Sequence, residues 1–423
     1  MPPSPSRRLL VLSNGHGEDL IGLRILEALH RQRPDLELAV LPLVGLGQAF
    51  GAAEAAGWLR RVGPRQPLPS GGFSNQSLRG LLEDLLAGLP LLSWKQWRLV
   101  RSWGSSGDPI LAVGDLLPLL LAWAGGGPYG FIGTPKSDYT WASPPPPGWG
   151  RSPLADGYHR AKGSEWDPWE WTLMANRRCR LVAMRDRLTA RGLLRHRVPA
   201  CAPGNPMMDG FVSQPLPEPL QGRARLLLLA GSRMPEALHN LRRLLTALPA
   251  AGSGPPLSVL LATGSRPSPA ELDPVLSAAG FAPLSAGDPR ARELGAAAGW
   301  RRGDQDLWVG PGCFERWAPW GDLGLATAGT ATEQLVGLGI GALSLPGPGP
   351  QFKPGFARRQ SRLLGGSVLP CPTATELRQR LLALLADPGE RQRLGAMGRR
   401  RMGPAGGSER LAALINGQLL GGG

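Results

Sequence analysis

The spacing of apolar residues along the chain predicts a protein of two α/β halves. Residues 9–12 and 226–229 are uninterrupted apolar runs, and each leads into a glycine-containing loop followed by a helix-like stretch. A strand that is apolar on both faces is typical of a parallel sheet covered by helices. The loop after such a strand directs backbone N–H groups at the space above the strand ends, where phosphate or another anion binds well. A chain with two such loops is expected to hold a substrate between its halves.

The same alternation of strand and helix continues through both halves. Apolar runs predict further strands at 36–44, 110–113, 130–134, 180–184, 257–262, 307–309, 323–326 and 342–345. Helical spacing predicts helices at 20–29, 78–97, 234–248, 271–279, 332–338, 375–385 and 408–420. We therefore predict an α/β fold of two Rossmann-like domains facing a central cleft, with the C-terminal helix crossing back to the N-terminal domain.

Length and proline content predict where the domains divide. The 423 residues are too many for one ordinary domain and suit two. Six prolines between 199 and 219 are typical of a linker. We predict an N-terminal domain over 1–205, a Pro-rich linker over 206–222, a C-terminal domain over 223–400, and a C-terminal helix and tail over 401–423.

Residues 140–171 have a different composition, with a run of four prolines and five tryptophans. They predict an irregular insertion. Its tryptophans either pack the loop on itself or form the wall of an acceptor site or a membrane-facing edge, because tryptophan favours interfaces. We favour packing, since long ordered loops often pack on their own side chains.

The net charge of +15 restricts the partners that the chain can have. Its arginines are concentrated at 177–197 and 391–410. Such an excess favours nucleic acid, an anionic membrane surface or a phosphorylated substrate, although a composition rich in solvated arginine explains it equally well. No zinc-finger or RNP-type motif accompanies the charge, and we therefore predict no nucleic-acid partner.

The four cysteines and the lengths of the apolar segments indicate the cellular location that we expect for the protein. Cys179, Cys201, Cys313 and Cys371 have no metal-ligand spacing and predict reduced thiols. Residues 1–8 lack a small-residue cleavage site, so we expect no signal peptide. The longest apolar stretch, 116–123, is too short to span a bilayer. We expect a cytoplasmic protein, either soluble or peripheral on the inner face of the membrane.

The strongest chemical motif lies at 328–334, where Ala-Gly-Thr-Ala-Thr-Glu-Gln follows a predicted strand and begins a helix. The glycine permits close backbone approach, the threonines can donate hydroxyls, and the first-turn N–H groups face the ligand. A carboxylate one turn into the helix can accept both hydroxyls of a ribose. The alternative is a helix capped by Thr330, which accounts for only part of the motif.

This motif resembles the nucleotide-sugar motif of GT-B glycosyltransferases, which have two Rossmann-like domains. Within that class the chain resembles the lipid-A-disaccharide synthase family, most closely its cyanobacterial synthase-related members. The stretch SNGHGED at 13–19 stands where the synthase has SGEASGD, and LLLLAGSR at 226–233 stands where it has LLPGSR. The tripeptide Gly-Asn-Pro at 204–206 corresponds to a G-x-P segment before its interdomain linker.

The resemblance implies an inverting transferase that moves a sugar from a UDP-sugar of the UDP-N-acetylglucosamine type to a lipid or lipid-A-precursor-like acceptor. The acceptor lies in the N-terminal domain and the donor in the C-terminal one. It also implies donor-binding residues, namely Gly231, Ser232, Arg233, Gly329, Thr330, Thr332, Glu333, Gln334, Lys353 and Gln360. For Lys353 and Gln360, a solvated loop leading to a basic helix is an equal alternative. No metal is implied, since the sequence has no DxD at a strand end, and helix N-termini with Arg233 and Lys353 can offset the diphosphate charge.

The position of the ribose-binding carboxylate stays open. Gln334 occupies the register of the family's ribose-binding glutamate, and Glu333 comes one residue earlier. One residue is about 100° of rotation on a helix, so the two side chains cannot point equally at the ribose.

Transfer with inversion needs a general base for the acceptor hydroxyl. Asp115, after the strand at 110–113, and His16, in the first glycine loop, are the base candidates, and a helix-capping role is an equal alternative for each. The further acceptor-side candidates are Asn14, Gly15, Gly17, Glu18, Asp19, Lys136 and Asp138.

Two other functions fit the same fold. One is a UDP-sugar 2-epimerase, which should have additional acid and base carboxylates facing the donor sugar. The other is a catalytically silent protein that binds nucleotide sugars.

Overall fold

The computed structural model describes residues 8–64, 89–347 and 352–421. They form two compact units, the first made of the described residues within Met1–Asp138, Gly157–Asp209 and Pro404–Gly423, and the second of those within Tyr139–Asp156 and Gly210–Gly403. The units divide at 209/210 and 403/404, whereas the predicted boundaries were at 205/206 and 400/401. The assignment of 139–156 to the second unit was not predicted.

Strands and helices alternate through both units. The strands are β1 (Arg8–Ser13), β2 (Glu37–Pro42), β3 (Leu59–Arg61), β4 (Ile110–Gly114), β5 (Tyr129–Gly133), β6 (Cys179–Met184), β7 (Ala200–Cys201), β8 (Ala224–Leu229), β9 (Leu257–Thr263), β10 (Ala282–Pro283), β11 (Ala298–Arg302), β12 (Gln305–Pro311), β13 (Leu323–Ala326), β14 (Ala342–Ser344) and β15 (Val368–Pro370). The helices are α1 (His16–Gln32), α2 (Gly51–Ala55), α3 (Leu89–Ser105), α4 (Leu116–Gly125), α5 (Tyr139–Ala142), α6 (Pro153–Lys162), α7 (Pro168–Met174), α8 (Arg187–Leu194), α9 (Glu236–Thr246), α10 (Pro269–Ala278), α11 (Pro289–Leu294), α12 (Phe314–Trp317), α13 (Thr330–Gly337), α14 (Pro354–Leu363), α15 (Ala374–Ala386), α16 (Pro388–Met402) and α17 (Gly407–Leu414).

The first unit is built on a parallel sheet of order β3-β2-β1-β4-β5-β6-β7. The predicted apolar run 9–12 is the middle of β1, and all four of its side chains are inaccessible to solvent. The strand order reverses between β1 and β4, because the chain proceeds outward to β3 on one side and to β7 on the other. In open α/β sheets, ligands bind at the carboxyl ends of the strands at this switch point.

The second unit contains a sheet of order β10-β11-β12-β9-β8-β13-β14-β15. It is parallel from β12 to β15, and β10 and β11 are antiparallel additions at one edge. The second apolar run, 226–229, lies in β8, and the strand order reverses between β8 and β13. The prediction of two Rossmann-like domains is therefore confirmed.

The C-terminal helix belongs to the first unit, as predicted. Helix α17 packs on α1, and the carboxylate of Asp209 accepts hydrogen bonds from the backbone N–H of Gly406 (2.5 Å) and of Ser408 (2.7 Å) at its start. The buried Arg24 of α1 donates to the carbonyl oxygens of Pro206 (3.0 Å) and Met207 (3.1 Å). These bonds attach the segment 206–209 to α1 and to the start of α17.

The predicted irregular insertion at 140–171 is partly helical, since it contains most of α5, all of α6 and the start of α7, and that prediction was wrong for these residues. Two of its tryptophans pack within the protein, whereas Trp169 is 56% exposed. Trp166 is fully buried with its ring 5.4 Å from Phe131, and Trp171 stacks on His196 at 3.6 Å. The helices form because Pro153 and Pro168 stand in their first turns, where the missing N–H is not needed.

Candidate functional site

In the first unit, polar side chains gather at the switch point between β1 and β4. Asn14 directly follows β1 and Asp115 directly follows β4, and the Asn14 amide donates to Oδ1 of Asp115 at 2.8 Å. The two residues are far apart in sequence and meet because neighbouring parallel strands end at the same edge of a sheet. The structure thus brings two of the predicted residues together.

Asp115 also caps α4. Its Oδ1 accepts the backbone N–H of Leu117 at 3.2 Å, so the capping alternative holds for this residue. The Asn14 and Leu117 contacts are both made to Oδ1. Burial raises the pKa of the Asp115 carboxyl above its ordinary value, and the positive charge of Lys136 acts in the opposite direction. The carboxylate of Asp115 thus caps α4 and also bonds Asn14.

Glu18, in the first turn of α1, is a further carboxyl of this cluster whose pKa is raised. The hydroxyl of Thr134 donates to its Oε1 at 3.2 Å. Burial raises the pKa of Glu18 to about 7, and the negative charges of Asp115 and Asp19 add to the effect. Its side chain packs over Gly114, where an added Cβ would lie 3.4 Å from Cγ of Glu18. A carboxyl group with a pKa near neutrality can accept a proton at physiological pH.

The remaining residues of the first loop shape its backbone. Gly15 precedes α1 with φ of +125°, a conformation that favours glycine, and no side chain caps the helix. Gly17 lies in the first turn. Asp19 is buried and accepts a hydrogen bond from the Ser13 hydroxyl at 2.6 Å, and burial raises its pKa to about 6. His16 begins α1, but its side chain lies outside the described residues.

Two predicted acceptor-side residues contact the insertion instead. Lys136 forms an ion pair with the buried Glu170 at 2.5 Å and lies over the ring of Trp166. Asp138 is buried, and its Oδ1 accepts the backbone N–H of Glu165 at 2.7 Å. This geometry favours a packing role for both residues. Thr134, which sequence reasoning did not select, donates its hydroxyl to Glu18 from this loop.

In the second unit, the loops after β8 and β13 meet at the corresponding switch point. The backbone N–H of Thr327 donates to the carbonyl oxygen of Leu229 at 2.9 Å. Gly231 has φ of +94°, a value that a side chain would strain. Ser232 is exposed and Arg233 is half-buried, and burial lowers the pKa of the Arg233 guanidinium. Gly231 and Gly329, both predicted to bind the donor, therefore lie at the same edge of this sheet.

Helix α13 begins without a side-chain cap. Its N-cap is Gly329, and Thr330 is the first helical residue, so the capping alternative for Thr330 was wrong. The Thr332 hydroxyl donates to the carbonyl oxygen of Ala328 at 2.7 Å and stabilises the loop. With no side chain capping them, the first-turn N–H groups suit an anionic ligand.

The two candidate ribose-binding residues differ in exposure. Gln334 is 4% exposed, whereas the neighbouring Glu333 is only half-buried. The Glu333 carboxylate is therefore the more accessible to a ligand arriving from solvent.

Helix α14 supports the same loop from the other side. The Gln360 amide donates to the carbonyl oxygens of Ala328 and Gly329, each at 3.2 Å. Its Oε1 is buried and has no hydrogen-bond partner among the described residues. Lys353 is the exposed N-cap of α14, next to residues 348–351, which lie outside the described part of the chain.

Phe356 is a neighbour of this loop that the sequence analysis did not select. Its side chain is 41% exposed, and a Cβ added to Gly329 would lie 3.7 Å from its Cζ. An exposed aromatic ring beside a phosphate-type loop can stack on a planar or sugar ring. The only sequence signal was its position in the first turn after Lys353.

Within the three described ranges, no group of three or more His, Cys, Asp or Glu side chains is placed to hold a metal ion. No helix there has both the length and the apolar character to cross a membrane. The four cysteines are free thiols, and burial raises the pKa of Cys179 and of Cys371 to about 12.

The two Rossmann-like units, each with its glycine loops at a switch point, define the GT-B class of fold. The calicheamicin glycosyltransferase has the same fold, with a TM-score of 0.57 and 15% identity over 97% of this chain and 98% of that one. UDP-glucose:anthocyanidin 3-O-glucosyltransferase, in complex with UDP, gives a TM-score of 0.58 and 11% identity over 98% and 100%. The UDP-GlcNAc 2-epimerase of Neisseria meningitidis, bound to UDP-GlcNAc, gives 0.54 and 12% over 96% and 99%.

No protein-family model matches the sequence, and comparison with curated proteins gives no match either. At these identities the structural likeness establishes the fold alone.

Proposed function

We propose that the protein is an inverting glycosyltransferase that moves a sugar from a UDP-sugar, of the UDP-N-acetylglucosamine type, to a lipid acceptor. One observation carries the proposal: Asp115, a member of the carboxylate cluster at the first switch point, is followed directly by α4, a helix whose solvent-facing side is apolar. This arrangement suits a hydroxyl attached to a lipid. The resemblance to the lipid-A-disaccharide synthase family supports the same acceptor class.

The second unit binds the donor in this proposal. The diphosphate lies against the first-turn N–H groups of α13, with the Arg233 guanidinium offsetting its charge. Glu333 accepts the ribose hydroxyls, because it is the more exposed of the two candidates. The unpartnered Oε1 of Gln360 accepts from a further donor hydroxyl, and Lys353 closes on the diphosphate. No metal ion is needed to balance the charge. The UDP and UDP-GlcNAc bound in two proteins of the same fold support this assignment.

The first unit supplies the general base. Glu18 takes the proton of the acceptor hydroxyl, since a pKa of about 7 suits proton transfer near neutral pH. The acceptor oxygen then bonds to the anomeric carbon on the face opposite the diphosphate, whose bond to that carbon breaks, and UDP departs with the electron pair. The two base candidates from the sequence are neighbours of Glu18. His16 is two residues away in the chain, and the charge of Asp115 raises the pKa of Glu18.

The lipid acceptor is proposed from α4. Its side chains Leu117, Leu120 and Trp123 are 42%, 42% and 38% exposed and recur at helical spacing along one side. A helix that is apolar all round is normally buried, so an apolar face left in solvent indicates a further binding partner. Because α4 starts at Asp115, this face extends directly from the carboxylate cluster.

Helix α3 supports an anionic membrane surface as the place where the lipid is met. It packs on α4 where Gly104 and Gly125 approach closely, and it leaves Leu91, Trp94 and Trp97 exposed. Its charged residues are Lys95, Arg98 and Arg101, and neither α3 nor α4 contains an acidic residue. Exposed tryptophans flanked by cations favour an anionic bilayer interface.

Incubation of the purified protein with UDP-N-acetylglucosamine, alone and with membrane lipids, tests the function. We expect UDP release only when lipid is present. A new sugar epimer formed without lipid would instead support the 2-epimerase, and tight UDP binding without turnover in any lipid would support the silent binding protein.

A further inference from the structure

The second unit contains a cavity of about 390 Å³ away from the donor loops. It lies at the C-terminal ends of α9 and α10, beside Arg302 at the end of β11 and Arg378 in α15. The loop from α9 to β9 forms part of its wall, which places the cavity at the amino edge of the sheet. Gly231 and Gly329 are at the carboxyl edge. The cavity is therefore a separate place on the unit, and its volume is in the range of small-molecule sites.

The lining of this cavity combines an apolar floor with three cations. Leu245, Leu248 and Val275 are almost fully buried beneath it. The charged groups on its wall are the guanidinium groups of Arg242, Arg302 and Arg378, and its lining includes no carboxylate.

Two of these guanidinium groups are held in place by backbone oxygens. Arg302 donates to the carbonyl oxygens of Ala279 (3.0 Å) and Pro249 (3.2 Å) and to the side-chain oxygen of Gln305 (2.7 Å). Arg378 donates to the carbonyl oxygen of Thr246. A ligand would thus meet fixed positive charges and would order few side chains on binding.

Two nearby carboxylates, Glu376 and Asp304, have other partners and do not pair with Arg378 or Arg302. Glu376 pairs with Arg380 at 2.8 Å, and Asp304 accepts the backbone N–H of Gly252 at 3.0 Å. Burial lowers the pKa of Arg302, and the like charge of Arg378 lowers it further. An anion in the cavity would relieve this repulsion.

We propose that this cavity, which the donor and acceptor residues do not use, binds a phosphate-bearing ligand with an apolar portion. Guanidinium groups pair with phosphate through several N–H donors at once, and three of them exceed what a singly charged group needs. The Leu245, Leu248 and Val275 floor accepts the apolar portion. The shared chemistry is the phosphate, which either a lipid-like monoester or free inorganic phosphate provides.

Calorimetric titration of the full-length protein tests the proposal with octyl phosphate below its micelle concentration, inorganic phosphate and neutral octyl glucoside. We expect octyl phosphate to bind, and the double variant Arg242→Gln/Arg378→Gln to raise its Kd by about tenfold or more. Both replaced side chains are exposed, so the fold should persist, and thermal unfolding checks this. If inorganic phosphate binds as tightly as octyl phosphate, free phosphate is the ligand source. If inorganic phosphate binds more weakly than octyl phosphate, the ligand is an amphiphile.

Two single variants serve as controls. Arg400→Gln removes an exposed arginine of α16 outside the cavity and should leave the Kd unchanged. Arg233→Ala, in the donor loop, should also leave octyl phosphate binding intact, so a failure of the proposed donor site is distinguishable from a failure here. Wild-type affinity in the double variant, equal binding of octyl glucoside, loss of binding in Arg233→Ala, or no binding of either phosphate would overturn the proposal.

Discussion

Glu18 differs from its neighbours in the contacts that its carboxylate makes. Asp19 is bound by the Ser13 hydroxyl and Asp115 by the Asn14 amide, at 2.6 and 2.8 Å. The Thr134 hydroxyl gives Glu18 a longer bond, of 3.2 Å, and the backbone N–H of Glu18 also stabilises its charged form. Because burial disfavours the charged form more strongly than these bonds favour it, the pKa of Glu18 is raised to about 7.

Replacing the base should remove turnover and leave donor binding intact. Glu18→Gln keeps the size of the side chain and its hydrogen-bond acceptor, and we expect kcat to fall by about 10²–10⁴. UDP release in the presence of lipid measures turnover, and titration with UDP measures donor binding. The matched control is Glu27→Gln on the same helix, which should keep its activity. Full activity in Glu18→Gln would contradict the assignment.

The variant Asp115→Asn distinguishes the role of Asp115 from that of Glu18. Asp115 raises the pKa of Glu18 through its charge, so the variant should move the acidic limb of the pH–kcat profile to lower pH while donor binding stays unchanged. Loss of turnover at every pH, together with an active Glu18→Gln, would make Asp115 the base.

The raised pKa of Glu18 also predicts how stability depends on pH. The folded protein holds this proton up to about pH 7, whereas the unfolded chain releases it near 4.5. The folded state therefore binds more protons in this interval, and the free energy of unfolding falls as pH rises through it. Glu18→Gln has no such proton to lose. Between pH 4 and pH 8 its free energy of unfolding should therefore fall by about 1–3 kcal/mol less than that of the wild type.

Urea unfolding of both proteins at the two pH values measures this difference. Asp19, with a pKa raised to about 6, contributes a loss in the same direction and is common to both proteins. An equal pH dependence in the wild type and Glu18→Gln would show that the Glu18 carboxyl titrates normally.

At the scale of single elements, the sequence predicted the strands that carry the site. β1 and β8 contain the predicted apolar runs, and β13 coincides with one. These strands were predictable because central parallel strands are buried on both faces and consist of apolar residues. The antiparallel strands β10 and β11 were not predicted. In β11, Gly299 lies opposite Trp308, and a Cβ there would be 2.6 Å from the Trp308 ring. Gly299 is therefore required by its contact with Trp308 on the neighbouring strand, and the spacing of apolar residues does not predict such a contact.

The apolar face of α4 should be needed for membrane binding. Leu117→Gln/Leu120→Gln replaces two solvent-facing side chains, so we expect the fold to persist and co-sedimentation with phosphatidylglycerol vesicles to fall by about tenfold or more. Val212→Gln, at a side chain 65% exposed in the second unit, is the matched control and should bind as the wild type does. Unchanged sedimentation of the double variant would remove α4 from the membrane surface.

Helix α14 should act on donor binding through Gln360. Gln360→Met keeps the length of the side chain and removes both bonds to the loop at Gly329, and we expect the Kd for UDP to rise by about tenfold. Gln379→Met, on the exposed side of α15, should leave the Kd unchanged. An unaltered Kd in Gln360→Met would mean that the loop holds its shape without this helix.

At the scale of the whole molecule, both units present their loops at a switch point, and the two glycine loops were visible in the sequence from the start. The assignment of 139–156 to the second unit was not. It depends on the buried Arg362, whose guanidinium pairs with Asp156 at 2.8 Å and donates to the carbonyl oxygen of Ser143 at 2.9 Å. Arg362 and Asp156 are 206 residues apart in the chain, a separation over which apolar periodicity carries no information.

The acceptor of the transferred sugar and the configuration of the new bond test the central claim most directly. The full-length protein is incubated with radiolabelled UDP-N-acetylglucosamine and anionic lipid vesicles, and the anomeric configuration of the labelled product is determined by NMR on a preparative scale. We expect the label to enter the lipid fraction with inverted configuration and in step with UDP release. Label that stays in the aqueous fraction, as unchanged donor or as an epimer, would contradict the account.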